Sequence, residues 1–259
     1  MTESNVRDDT WIRRFHPTTS GAVSSAVEAP RLVCFPHAGG SASFYFAVSA
    51  ALRGWFDVLA VQYPGRQDRR DEEPIDSIAV LADRVFAALG PWLDDGPMAF
   101  FGHSMGSVVA YEVARRMERE AGVSPAALIV SGRRAPSRRR TETVHRRDDD
   151  GIVAELRRLS GTDASLLADD DVVRMILPAI RGDYRAIETY AHEPGPPLAC
   201  AITAFLGDED TQVTIDEARA WAEHTAGGFE LRMFRGGHFY LVARSEETIA
   251  LIVEVLTRR

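Results

Sequence analysis

The sequence predicts an α/β fold with a mainly parallel central sheet and helices on both faces. Short apolar runs alternate with amphipathic stretches along most of the chain, which is typical of successive strand–helix units. The chain of 259 residues is also long enough to bury one sizeable core. We therefore expect residues 1–259 to form a single domain.

Apolar runs and helical spacing place the elements of this fold. Six apolar runs predict strands at residues 31–36, 56–62, 98–103, 126–132, 200–207 and 229–234. Apolar residues at helical spacing predict helices at residues 43–53, 76–93, 105–120, 214–226 and 246–257. The order of these elements favours strands joined by crossover helices.

The alternation fails once, from about residue 137 to residue 197. This segment is rich in arginine and aspartate, yet residues 151–159 and 171–190 have helical spacing. A long insertion with its own helices between two core strands predicts a helical lid over the edge of the sheet. We expect its apolar residues Ile176, Leu177 and Ile180 to lie over a tunnel that leads to the site. The alternative is a solvated decoration without a role.

The basic residues exclude several kinds of chemistry. All 30 of them are arginine, so Schiff-base formation, a Walker P-loop and a lysine general base are excluded. The formal net charge of −8 disfavours nucleic acid as a partner, because duplex binding relies on a basic surface.

The cysteines and the apolar content predict where the protein works. Cys34 and Cys200 each lie inside an apolar run, which predicts buried reduced thiols instead of a disulfide or a metal site. There is no uncharged apolar run of about 18 residues, and residues 1–15 lack the pattern of a signal peptide. We expect a soluble cytoplasmic protein with no membrane partner.

A glycine-flanked serine joins the third predicted strand to its helix. Residues 102–106 read Gly-His-Ser-Met-Gly, which in a strand–turn–helix context is typical of a nucleophile elbow around Ser104. The flanking glycines are needed because side chains there would collide with the neighbouring strand and helix. Ser104 could instead serve only as the N-cap of the helix.

A serine nucleophile needs a base and a carboxylate that orients the base. In this kind of fold the chain order is serine, acid, histidine. Among the seven histidines, His238 follows the last predicted strand, where Gly236 and Gly237 permit a tight turn. A capping role before the final helix is its alternative. The acid belongs after the strand at 200–207, where the residues leave three choices open, namely Asp208, Glu209 and Asp210, and the first could be used to form the turn.

A glycine-rich turn at residues 35–45 follows the first predicted strand and opens a helix. Such a turn can supply backbone N–H groups to a developing oxyanion, which needs two donors in place before reaction. We expect the N–H groups of Ala38 and Met105 to be these donors. A plain strand-to-helix turn is the alternative.

Five motifs in this order resemble the type II thioesterases of modular polyketide and nonribosomal peptide synthetases, which have the α/β-hydrolase fold. The motifs are FPHAGGSASFY (35–45), QYPGRQDRR (62–70), FFGHSMGSVVAYEVAR (100–115), FLGDED (205–210) and GGHFYL (236–241). The serine motif is common among hydrolases, whereas PHAGG together with YPGR is much more specific. The resemblance covers about residues 11–257.

The resemblance implies a site and a substrate. The family places its acid at the last position of a G-x-x-D motif, here residues 207–210, and this selects Asp210. Many relatives have proline next, whereas this chain has Thr211. The implied substrate is an acyl thioester on the phosphopantetheine arm of an acyl or peptidyl carrier protein, and the implied role is to remove stalled or aberrant acyl groups. No metal or organic cofactor is implied.

Two other functions remain open at the level of sequence. An α/β-hydrolase could act on free esters or acyl-coenzyme A, if the lid admits small untethered substrates. A binding module could also keep the fold without catalysis, in which case the serine, histidine and acid would be vestigial.

Overall fold

The computed structural model of the protein describes residues 10–18, 30–159 and 166–258. Residues 1–9, most of the stretch that argues against a signal peptide, lie outside the described residues. Residues 160–165 of the predicted lid also lie outside them.

Seven strands form one sheet in the order β1-β3-β2-β4-β5-β6-β7. Their bounds are β1 Ile12–Arg13, β2 Arg31–Phe35, β3 Asp57–Val61, β4 Met98–His103, β5 Ala127–Ser131, β6 Ala201–Gly207 and β7 Phe229–Phe234. All neighbours are parallel except β1, which pairs with β3 in antiparallel orientation. The six predicted strands are confirmed. Strand β1 has only two residues, too few for a periodic signal, and the sequence did not predict it.

The helices also follow the predicted order. They are α1 Phe46–Leu52, α2 Ile78–Leu89, α3 Met105–Arg116, α4 Asp149–Leu159, α5 Asp170–Thr189, α6 Ile215–Arg219, α7 Tyr240–Ala243 and α8 Ser245–Thr257. Short 3-10 or π turns precede α1 and follow α2, α3 and α6, which explains why the predicted helices were longer there.

The core lies on both faces of the sheet, as the parallel α/β prediction requires. Helices α2 and α3 bury residues such as Val85 and Val109 against one face. Helices α1 and α8 bury Leu52 and Ile252 against the other face. Every residue of β2, β3 and β4 is buried, which is the expected burial of a parallel strand covered on both sides.

The two cysteines are free thiols, and both are buried. Burial raises the pKa of Cys34 far above its ordinary value and that of Cys200 to about 12, so both thiols are protonated at neutral pH. None of the helices in the described ranges is long and apolar enough to cross a membrane.

The segment between β5 and β6 carries helices α4 and α5, as predicted for the lid. These helices bury an apolar cluster of their own, separate from the core of the sheet. We call it the lid cluster, and its buried members are Val144, Ile152, Val153, Leu156, Leu167, Leu177 and Ile180. The insertion is therefore a packed unit and not a solvated loop.

A buried ion pair fastens α5 to the body of the protein. The guanidinium of Arg66 donates two hydrogen bonds to the Asp183 carboxylate, at 2.6 and 2.9 Å. The side chains are 8 % and 0 % exposed. Asp183 Oδ2 also accepts a hydrogen bond from the N–H of Gly39 at 2.7 Å, and Arg66 donates to the carbonyl of Gly40 at 3.0 Å. One charge pair thus joins the lid to the glycine-rich turn after β2.

Removal of Arg66 should destabilise the protein strongly. Arg66→Ala leaves the Asp183 carboxylate buried without its cation, and we expect the free energy of unfolding to fall by about 3–5 kcal/mol. Denaturant unfolding of both proteins measures the difference.

The matched control is Arg185→Ala on the same helix. Arg185 pairs with Asp76, but both side chains are largely exposed, so we expect a change below about 1 kcal/mol. Equal losses for the two variants would contradict a special role of the buried pair.

Candidate active site

The turn between β4 and α3 has the geometry of a nucleophile elbow. Ser104 has φ 52° and ψ −119°, a strained conformation for a residue with a side chain. A Cβ on Gly106 would lie 2.1 Å from the carbonyl oxygen of Phe35, and one on Gly102 would lie 2.4 Å from that of Gly106. Both positions therefore require glycine. Although Ser104 occupies the N-cap position of α3, its side chain makes no capping hydrogen bond.

His238 lies in the turn that follows strand β7, and its ring contacts the carboxylate of Asp210. Nδ1 of His238 is 2.9 Å from Oδ2 of Asp210, and both side chains are almost completely buried. Because a carboxylate can only accept, Nδ1 carries the hydrogen and Nε2 is left to act as a base.

Of the three acids that the sequence left open, the structure brings Asp210 to the histidine. Its Oδ1 accepts a hydrogen bond from the N–H of Gln212 at 2.7 Å, which fixes the carboxylate. Asp208 instead accepts from the N–H of Gly236 at 2.8 Å and so holds the turn before His238. Thr211, where many relatives have proline, accepts a hydrogen bond from Arg158 of α4 at 3.0 Å.

Ser104 and His238 line one cavity of about 430 Å³ beneath the lid. Ala38 and Met105, the predicted oxyanion donors, line it as well. It lies at the carboxyl ends of β2, β4 and β5, where ligands bind in open α/β sheets.

Two backbone N–H groups of the cavity lining make no hydrogen bond within the described ranges. Within the described ranges, the N–H groups of Ala38 and Met105 have no hydrogen-bond acceptor. The next N–H, that of Gly39, is already bound to Asp183. The ion pair of Arg66 and Asp183 therefore holds the turn that carries Ala38.

The lid lines the cavity with residues other than those expected. Leu156 and Leu159 of α4, with Tyr184 and Ile187 of α5, face it. The residues Ile176, Leu177 and Ile180 pack in or against the lid cluster and are not among those that line the cavity. The sequence identified the lid helices but could not tell which of their apolar residues face inward.

Two further histidines lie at the site, although neither follows the last predicted strand. His37 lines the cavity, and the ring of His103 is 5.1 Å from that of His238. Burial, together with the neighbouring His238, lowers the pKa of His37 to about 3 and that of His103 well below its usual range. Both rings are neutral at physiological pH, so they add no charge beside His238. The motifs contain both residues but give no sign of this packing.

Charges are dense around the cavity, and most are paired. Arg138 pairs with Glu223 and Arg140 with Glu217, so these two arginines neutralise nearby acids. Arg133 lines the cavity, and its Nε has no hydrogen-bond partner among the described residues. Within the described ranges, no three histidine, cysteine, aspartate or glutamate side chains gather as a metal site would require.

Comparison with known proteins agrees with this geometry. Residues 30–256 match the thioesterase domain family. The chain is 51 % identical to a probable cadicidin biosynthesis thioesterase of Streptomyces griseus, over 96 % of this chain and 67 % of that protein. It is also 51 % identical to thioesterase PikA5 of Streptomyces venezuelae, over 92 % of this chain and 82 % of that protein.

A solved structure gives the same result. The type II thioesterase BorB from the borrelidin biosynthetic cluster superimposes with a TM-score of 0.87 and 52 % identity, covering 97 % of this chain and all of that one. With the match over nearly the whole described sheet, the chain belongs to the thioesterase domain family.

Proposed function

We propose that this thioesterase hydrolyses acyl groups from the phosphopantetheine arm of carrier proteins and so clears stalled or aberrant chains in polyketide or nonribosomal peptide synthesis. The observation that supports it is the shared cavity of Ser104 and His238, with His238 bound to Asp210, in a chain close to BorB. Its partners are acyl or peptidyl carrier proteins, and it acts in the cytoplasm.

In the first half of the reaction, Ser104 Oγ attacks the thioester carbonyl while His238 Nε2 takes the hydroxyl proton. Asp210 holds the ring in the required tautomer and stabilises the imidazolium. The N–H groups of Ala38 and Met105 donate to the oxyanion of the tetrahedral intermediate. The thiol of the arm then leaves with a proton from His238.

In the second half, His238 takes a proton from water, and the water attacks the acyl-serine. The oxyanion forms again at the same two N–H groups, and the carboxylic acid leaves as Ser104 regains its proton. All proton transfers use His238, so no metal or organic cofactor is needed.

The first functional test compares acyl donors. We expect kcat/KM for an acyl group on a carrier protein to exceed that for the same acyl group on coenzyme A or a simple ester by about tenfold or more, because docking of the carrier adds contacts.

Ser104→Ala should remove the activity while leaving the thermal unfolding temperature unchanged. Faster turnover of the free ester or acyl-coenzyme A would favour the general hydrolase, and labelling of Ser104 by a fluorophosphonate would exclude a binding module.

The acid can be tested by a pair of matched variants. Asp210→Asn should reduce kcat by roughly three to four orders of magnitude, because the amide stabilises the wrong tautomer of His238. Asp208→Asn keeps an acceptor for the N–H of Gly236 and should change kcat little. Steady-state kinetics on one acyl thioester measures both, and the reverse ranking would move the acid to Asp208.

The lid should control the length of the acyl group. Leu159 is half-buried and lines the cavity, so Leu159→Phe narrows it and should lower the ratio of kcat/KM for octanoyl to propionyl thioesters by about tenfold. Ile176→Phe is the control, because Ile176 packs against the lid cluster without lining the cavity. If Leu159→Phe and Ile176→Phe give the same ratio of octanoyl to propionyl kcat/KM, the lid does not select the length of the acyl group.

A further inference from the structure

Arg133 follows Gly132, whose backbone lies against the ring of the candidate base His238. Strand β5 ends at Ser131, which pairs with His103 of β4 just before the elbow. Gly132 follows with φ 59°, and a Cβ at that position would lie 3.2 Å from Cε1 of His238. Consecutive Cα atoms are about 3.8 Å apart, so the backbone brings Arg133 to the reacting end of the cavity.

Among the arginines that line the cavity, Arg133 differs in having no acid partner. Arg140 pairs with Glu217, and both Arg147 and Arg158 pair with Glu155. Within the described ranges, the Arg133 guanidinium forms no ion pair or hydrogen bond, and its Nε is shielded from solvent.

The acids whose charges act on Arg133, namely Glu142, Glu188 and Glu217, are already paired with other groups. Glu142 pairs with Arg134. Glu188 accepts hydrogen bonds from the backbone N–H groups of Val144 and His145 and from the His145 ring. None of these carboxylates can turn to Arg133 without losing its own partners.

The guanidinium of Arg133 remains charged, and keeping this charge without a partner costs free energy. Burial, together with the charge of the adjacent Arg134, lowers the pKa of Arg133 to about 9. The group is therefore still cationic at neutral pH. Arg133 is half-buried and its Nε is shielded from solvent, so a cation without a partner here is unfavourable, and an incoming anion would relieve this cost.

We propose that Arg133 is an anion-binding subsite for the thioester substrate and holds an oxygen anion that the substrate itself brings. This inference rests on the proposed function. A guanidinium binds carboxylate and phosphate with the same two-pronged geometry, so the anion is a carboxylate on the acyl group or the phosphate of the arm. The closeness of Arg133 to His238 favours the acyl carboxylate, because the phosphate lies at the far end of the arm from the thioester.

The test uses four small thioesters in a two-by-two design. Butyryl and succinyl groups differ by a terminal carboxylate, and each is attached to pantetheine and to phosphopantetheine. The variants are Arg133→Gln, Arg133→Lys and, as a control, Arg139→Gln. Arg139 is exposed in the same segment and forms no ion pair among the described residues.

If the anion is the acyl carboxylate, Arg133→Gln lowers kcat/KM for succinyl relative to butyryl by about tenfold to a hundredfold on either arm. If the anion is the phosphate, Arg133→Gln lowers kcat/KM for the phosphopantetheine thioesters relative to the pantetheine thioesters by the same factor, whichever acyl group they carry. Arg133→Lys should restore part of the lost ratio, and Arg139→Gln should change neither ratio. Equal loss on all four substrates, or no loss, overturns the subsite.

Binding separates this inference from the proposed function. The non-hydrolysable thioether analogues of the four compounds are titrated calorimetrically into Ser104→Ala with and without Arg133→Gln. A loss of affinity confined to the anionic analogues supports the subsite even if wild-type protein hydrolyses none of the thioesters, a result that would contradict the proposed function alone. Unchanged affinity for all four analogues overturns the subsite.

Discussion

The close approach of helix α3 to strands β2 and β4 is the constraint on which the site depends. The backbone of Gly106 lies so near the end of β2 that any side chain there would collide with the carbonyl oxygen of Phe35. This contact forces the chain to turn sharply at Ser104 and to adopt a positive φ, which costs about 1–3 kcal/mol for a residue with a side chain. The helices packed on both faces of the buried strands stabilise the fold enough to offset the strain at Ser104.

The same approach places the free N–H of Met105 beside the turn after β2. That turn is held from the opposite side by the ion pair of Arg66 and Asp183. Because Asp183 belongs to α5, the lid helix and the candidate oxyanion donor Ala38 share one buried charge pair. The YPGR motif, which supplies Arg66, therefore has a physical role in the site although it lines no part of the serine turn.

Charge pairing distinguishes Arg133 from the other arginines around the cavity. The arginine-rich segment after β5 is largely neutralised by acids of the body, as at Arg138 and Arg140, so its sequence overstates the free positive charge. Within the cavity Arg140, Arg147 and Arg158 are also paired, whereas Arg133 keeps its charge without a partner among the described residues. The charge inside the cavity therefore depends on local pairing and cannot be read from the net charge of −8.

The amino-acid pattern predicts strands β2 to β7, the main helices, the lid insertion and the order of Ser104, an acid and His238. These features follow from short-range periodicity and from glycines that a sharp turn requires, and both signals come from residues that are close together in the sequence. Residue types alone could not separate Asp208 from Asp210, and only the resemblance to known thioesterases selected Asp210. The tertiary structure then brought Asp210 to the ring of His238 and used Asp208 to hold the turn.

Only the tertiary structure decided which lid residues face the cavity, which arginines are paired and which histidines are neutral. Arg66 and Asp183 are 117 positions apart in the chain, and their pairing arises only when the lid packs on the sheet. Likewise, the low pKa of His37 comes from burial by residues remote in sequence. Such properties depend on distances between elements, and no periodicity along the chain encodes those distances.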